Sequence, residues 1–245
     1  MLRDELVARA GGDPPDDLRG GTALLALTRR DLRVALHLAE STALTAWPVA
    51  TAELHLCRLP AGDGRPFAVV GPAVGAPVAA IVLELLAVLG AARVVAVGAC
   101  GSLQPDLSIG ATILPTAAIR EEGTSHHYLP PSAAVGPAAD VLEALAAAAM
   151  AEDLAPRRGP VWTTDALFRE TASKVRRYQA AGVLGVDMET ATLFAVGPLV
   201  GLAVAALLVV SDELGDLVWR PGFRAVAFRA AHERAVRAAL AVCAR

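Results

Sequence analysis

Short apolar runs alternate along the chain with stretches whose apolar residues recur at helical spacing, and that alternation predicts the elements. Residues 1–10 read as a short helix ahead of a Gly/Pro/Asp turn at 11–17. Apolar runs at 23–27, 53–59, 67–70, 94–97, 111–120, 158–163, 183–186 and 203–210 read as strands. Helical spacing predicts helices over 30–40, 76–89, 137–152, 173–181 and 188–196, and an amphipathic helix over the last 20 residues. Gly62-Asp63-Gly64 is a hairpin signal, Gly90 a helix stop, and Pro198 ends or kinks the helix before it. The 203–210 run has no polar position, as expected of a strand covered on both faces. Strands and helices alternate without a linker. The pattern therefore predicts a single α/β domain over residues 22–245 with a mixed, largely buried sheet, preceded by an N-terminal helix and turn over 1–21.

Composition narrows the class. The hydrophobic fraction is 55% and aromatics are 4%, so the core must be built from Ala, Val and Leu. Net charge is −3 with mixed signs and lysine almost absent, which argues against nucleic acid as a partner. Cys57, Cys100 and Cys243 lie far apart and read as buried thiols of a reducing compartment. The charged start, Met1 to Leu6, lacks the apolar core of a signal peptide, and no run is long enough to span a bilayer. The expectation is a soluble cytoplasmic protein with no membrane partner.

Two segments carry the candidate chemistry. Asp212 follows the apolar strand, at the carboxyl end where open α/β sheets place ligands. A partly desolvated carboxyl group there can donate a proton to a leaving group, although a turn-capping Asp would look the same. Glu189 begins a helix after the strand at 183–186. Its carboxylate can accept two hydrogen bonds from a diol, with Met188 against the sugar's apolar face, although a first-turn Glu can also simply complement the helix dipole. His126-His127 lacks ligand partners at metal spacing, so neither metal nor cofactor is expected. The Gly71–Gly75 loop has the wrong spacing for a dinucleotide fingerprint.

Taken together, V-D-M-E-T-A-T at 186–192 and L-V-V-S-D-E at 208–213 resemble the paired motifs of the family that contains purine nucleoside and uridine phosphorylases. V-V-A-V-G-A-C-G-S-L at 94–103, the Gly71–Gly75 turn and Thr163-Thr164-Asp165 agree in order and spacing. The resemblance covers residues 22–243 and implies a three-layer α/β/α sandwich. It also implies a ribose grip by Glu189 and Met188, a base-side general acid at Asp212 beside Ser211, a base subsite near Leu167 and Phe168, and a glycine loop through Gly98, Ala99 and Cys100. By the same resemblance the chain is a homodimer or hexamer.

The family's phosphate site is where this chain departs. The turn that supplies a glycine and an arginine there reads Thr28-Arg29-Arg30-Asp31-Leu32-Arg33, with Arg29 in the glycine's place and Arg33 in the arginine's. Glu53 stands near the place of an arginine contributed by a neighbouring subunit, Ala96 replaces a strand-end arginine, and Ala99 replaces a hydroxyl. No clear match exists for the family's uracil-recognising Gln and Arg; Arg169 and Arg224 are candidates. The expectation is an enzyme that cleaves the N-glycosidic bond of a nucleoside or nucleoside-like metabolite without ordinary phosphorolysis. Two alternatives remain: a true phosphorylase with an anion site rebuilt from Arg29, Arg30 and Arg33, and a nucleoside-binding protein without turnover.

Overall fold

The computed structural model describes residues 18–43, 51–60 and 65–245. Strand β1 (Thr22–Ala26) is buried along its whole length and leads into helix α1 (Arg29–Leu38). Strands β2 (Glu40–Ala43), β3 (Glu53–Arg58) and β4 (Phe67–Gly71) follow, then α2 (Ala76–Val88). Next come β5 (Arg93–Ser102), β6 (Thr112–Glu121), α3 (Ala139–Ala151) and β7 (Arg157–Thr164). The remaining elements are α4 (Ala172–Ala180), β8 (Gly185–Asp187), α5 (Thr190–Leu199), β9 (Ala203–Glu213), β10 (Arg220–Pro221) and α6 (Val226–Cys243).

The ten strands among the described residues form one sheet in the order β10-β9-β6-β7-β8-β5-β1-β4-β3-β2, and β9 also pairs with β5. That extra pairing closes β5, β9, β6, β7 and β8 into a ring, with β1, β4, β3 and β2 continuing outward as an open wing. β4, β1, β5 and β9 are parallel neighbours, so their carboxyl ends open on one edge. β8 runs antiparallel to β5, with Val186 opposite Gly101 and Gly185 opposite Ser102. The residues after β8 are thereby turned back along the carboxyl end of β5.

Successive side chains of the central strands enter opposite layers, as the period of two requires. Leu25 of β1, Ala96 of β5, and Ala206 and Leu208 of β9 pack with α2 and α5. Leu24 of β1, Val95 and Val97 of β5, and Leu207 of β9 pack with α1, α3 and α6. Small Ala side chains at Ala235, Ala238 and Ala239 let α6 lie close to the sheet. A third cluster under α4 gathers Trp162, Tyr178, Val175 and Val186. These are the three layers and mixed central sheet anticipated from the pattern.

Three boundaries differ from expectation. β5 continues through Gly98 and Gly101 to Ser102 because β9 pairs with it along its whole length. β9 in turn carries Ser211 and Asp212 within the strand, not after it. Helix α5 starts at Thr190, not at Met188, because the Asp187 carboxylate accepts the Thr190 amide hydrogen and sets the first turn there. The N-terminal helix, its turn and the Gly62-Asp63-Gly64 signal lie outside the described residues. Cys57, Cys100 and Cys243 are free and buried. Among the described residues no helix is long and apolar enough to cross a membrane.

A buried side-chain hydrogen bond fixes α1 against α6. Thr28 caps α1, its hydroxyl accepting from the Asp31 amide while the Thr28 amide donates to Asp31 Oδ2 at 2.6 Å. The other Asp31 oxygen meets His232 Nε2 of α6, and both side chains are buried. Asp31→Ala removes the carboxylate half of the capping box and strands the buried imidazole, so it should cost about 3 kcal/mol in urea unfolding. A loss within experimental error would show that this pair does not hold the two helices.

Candidate active site

Four strand ends supply the site. At the end of β7, Thr163 donates its hydroxyl hydrogen to Asp187 Oδ1 at 2.6 Å. The Thr190 amide donates to Asp187 Oδ2 at 2.9 Å, and the Thr190 hydroxyl donates to the same oxygen. The Ala191 amide donates in turn to the Thr163 oxygen at 2.9 Å. Burial pushes the Asp187 carboxyl upward, and these donors pull it back. The network pins the two residues between β8 and α5, Met188 and Glu189.

Glu189 is buried and sits at the N-cap of α5. Its Oε1 accepts the Gly75 amide hydrogen at 2.6 Å and its Oε2 that of Met188 at 3.3 Å. Gly75 caps α2 with φ of 85°, a left-handed conformation that glycine adopts without strain and that aims its N–H at the carboxylate. Burial, and then the charge of Asp187, raise the Glu189 carboxyl to about 8; the two amides oppose the rise and Asp31 adds to it. Met188 is half-buried beside it.

Asp212 lies on the other side of β5, opposite Gly101 in the β5–β9 ladder. A Cβ on Gly101 would stand 3.2 Å from Asp212 Oδ2 and 2.9 Å from a Leu214 methyl carbon, so glycine makes room for this carboxylate. The Ser211 hydroxyl donates to Asp212 Oδ1 at 2.6 Å and lies 3.2 Å from the Cys100 carbonyl. The Trp219 indole N–H donates to Oδ2 at 2.9 Å. Between the two carboxylates run buried Gly98, half-buried Ala99 and buried Cys100. Burial raises the Cys100 thiol well above its ordinary value, and the charges of Asp187 and Asp212 add to the effect.

Other expected residues stand elsewhere. Leu167 and Phe168 form a 3-10 turn after β7 and are 53% and 97% exposed, so within one chain their side chains face solvent. Arg169 and Arg224 are exposed. Arg29 and Arg33 are exposed on α1, and the Arg30 guanidinium lies 5.8 Å from the Phe228 ring centroid on α6. Ala96 is fully buried inside β5. Glu53, level with the end of β4, is paired with His55 at 3.2 Å. The Tyr128 hydroxyl donates to Glu84 at 3.3 Å, while His126 and His127 are exposed. Among the described residues no group of His, Cys, Asp or Glu side chains is arranged to hold a metal ion.

Three participants were missed in the sequence. Asp187 had a signal, since an Asp three residues before Thr190 is a cap pattern. Glu170 had none. Burial, and then the charge of Asp212, raise its carboxyl to about 7, so it lies within electrostatic reach of Asp212. Trp219 is brought to Asp212 only by the hairpin between β9 and β10.

Two crystal structures of uridine phosphorylase from Vibrio fischeri ES114 share this fold. One superposes with a TM-score of 0.77 at 23% identity over 92% of each chain. The other, complexed with 6-hydroxy-1-naphthoic acid, gives 0.76 at 22% over 91% of this chain and 88% of that one. The fold is therefore that of the nucleoside phosphorylases. The family model for the phosphorylase superfamily matches residues 26–245, and the chain belongs to that family. It is 34% identical over 152 residues to guanosine phosphorylase of Halorubrum lacusprofundi, covering 62% of this chain and 63% of that protein. It is 28% identical over 154 residues to uridine phosphorylase of Haemophilus influenzae, covering 57% and 61%. A DeoD-type purine nucleoside phosphorylase of Bacillus cereus is 30% identical over 154 residues, covering 62% and 65%. The matched segments thus span less than two thirds of each of these relatives.

The raised Glu189 carboxyl has a pH signature. In the folded chain it keeps its proton up to about 8, while the unfolded chain loses it near 4.5. Folded protein therefore holds the extra proton between those values, and Glu189's contribution to stability falls as pH rises through that window. Glu189→Gln removes the titration. Its stability relative to wild type should improve by about 1 kcal/mol per pH unit across the window, read from urea unfolding at pH 5, 6, 7 and 8. A constant difference would mean that Glu189 titrates normally.

Proposed function

We propose that this chain cleaves the N-glycosidic bond of a nucleoside or nucleoside-like metabolite, with water as the acceptor of the sugar. Glu189 and Met188 hold the ribose, and the Glu189 oxygens face the diol. Asp212, on the far side of the Gly98–Cys100 stretch, passes a proton to the departing base. The C–N bond breaks towards an oxocarbenium-like sugar, water adds at C1′, and its proton goes to Glu189 where that raised carboxyl is ionised, so the step quickens as pH rises towards about 8. The balance is nucleoside plus water to free sugar plus base.

The observation that carries the choice of water is the occupancy of the amide donors on the phosphate side. The first turn of α1 has Asp31 at its N-terminal amides, and the first amide of α2 donates to Glu189. Asp187 is buried nearby. A phosphate dianion needs charge-assisted donors, and the carboxyl groups of Asp31, Glu189 and Asp187 already take up backbone amides that could serve it. Ala96 and Ala99 supply no donor, and Arg30 rests on Phe228.

The second reading is phosphorolysis, favoured by the names of the relatives and by Arg29 and Arg30 opening α1 at the end of β1. Incubation with a nucleoside panel, with and without phosphate, separates the two. Free ribose in both buffers is expected. Sugar 1-phosphate formed only when phosphate is present would replace the hydrolytic reading with the second one. Asp212→Asn should lower turnover by about 10²- to 10⁴-fold. Undiminished turnover would remove Asp212 from the acid's role.

A further inference from the structure

We propose that Trp219 is a gate for the base: its indole N–H holds the one Asp212 oxygen that the base must reach, so base and indole compete for it. This rests on the nucleoside reading of the same site.

A carboxylate offers two oxygens, and those of Asp212 are unequal. Oδ1 takes the hydroxyl of its own neighbour Ser211 at 2.6 Å, a contact inside the strand. Oδ2 takes the Trp219 N–H at 2.9 Å, a contact from outside the strand, and lies over Gly101 with methyl groups of Leu214 and Val186 flanking that space. A base atom that exchanges a proton with Asp212 therefore needs Oδ2. The indole N–H is a donor only, so it satisfies that oxygen as a protonated ring nitrogen of a departing base would.

The segment bearing Trp219 is built to let the ring move. Its near stem is fixed by the Leu214 backbone amide donating to the Ser102 carbonyl at 2.9 Å and by the Gln179 side-chain Nε2 donating to the Gly215 carbonyl at 2.5 Å. Its far stem is fixed by β10, with Pro221 opposite Asp212, and by the Gly222 amide donating to the Ser211 carbonyl at 2.8 Å. Between these stems Leu217, Val218 and Trp219 are 37%, 55% and 59% exposed. Leu217 holds a left-handed φ of 67°, which turns the chain so that the indole folds back over the acid. The ring thus has one polar tether and a solvent-facing body, and it can leave Oδ2 while both stems stay in place.

Trp219→Phe tests the competition, because it keeps a flat ring and deletes the N–H. Titration calorimetry with hypoxanthine, adenine and uracil as probes should show the base that binds wild type binding the variant about 3- to 10-fold more tightly. Trp219→Ala should tighten binding by a similar factor. Equal or weaker binding by Trp219→Phe overturns the gate. So does weakening confined to Trp219→Ala, since the ring would then be stacking on the base. If nucleosides are still cleaved in those cases, the proposed function stands without the gate. If no base binds either protein and no nucleoside is cleaved, both fall together.

Discussion

A carboxylate buried where β7, β8 and α5 meet governs the geometry of the rest. Burying a charge is costly unless donors surround it, and Asp187 is given the Thr163 hydroxyl together with the amide and hydroxyl of Thr190. Those donors come from a strand end and a helix start, so satisfying Asp187 locks both in place. Met188 and Glu189 have little freedom once their flanks are fixed. Glu189 then reaches across to the amide of Gly75, and a residue from the second half of the chain closes the first turn of a helix in the first half. Burial, and then the proximity of Asp187, raise the Glu189 carboxyl.

The site lies where it does because β5 and β9 run parallel at the centre of the sheet and both outlast their neighbours. One carries the glycine-rich stretch and the other the acid, and Gly101 stands opposite Asp212 in the ladder. β8 approaches β5 from the other side and turns Met188 and Glu189 back along it. A chain with few aromatic residues can build this arrangement because alternate small and branched side chains fill both faces of the central strands.

Much of this was legible in the sequence. The apolar run from Ala203 to Val210 was recognisable as a doubly covered strand, and β1, β4 and α2 fell where periodicity put them. The pair of motifs around Glu189 and Asp212 identified the two carboxylates that the fold brings to either side of β5. What stayed illegible depended on contacts distant in sequence. β2 is too short and polar to announce itself, and it exists because β3 offers an edge. The continuation of β5 past Gly98 depends on β9. The family resemblance puts the base-stacking place at Leu167 with Phe168 adjacent, yet the 3-10 turn leaves both side chains in solvent within one chain. Asp31 reads as an ordinary cap, and its buried partner lies 201 residues away.

That last separation bears on how the molecule comes to be made. Asp31 caps α1 as soon as the first turn forms, using only Thr28 as a neighbour. His232 arrives with α6, after nine of the ten strands have been synthesised in order and the tenth has just emerged. Until then the inner layer of α1 has a carboxylate without its imidazole and an apolar face without α6 to cover it. Contacts of such span are slow to form, because much of the chain must first be ordered. α6 therefore acts as the closing piece of the layer on which α1 and α3 also lie, and an emerging chain remains open on that face until α6 docks.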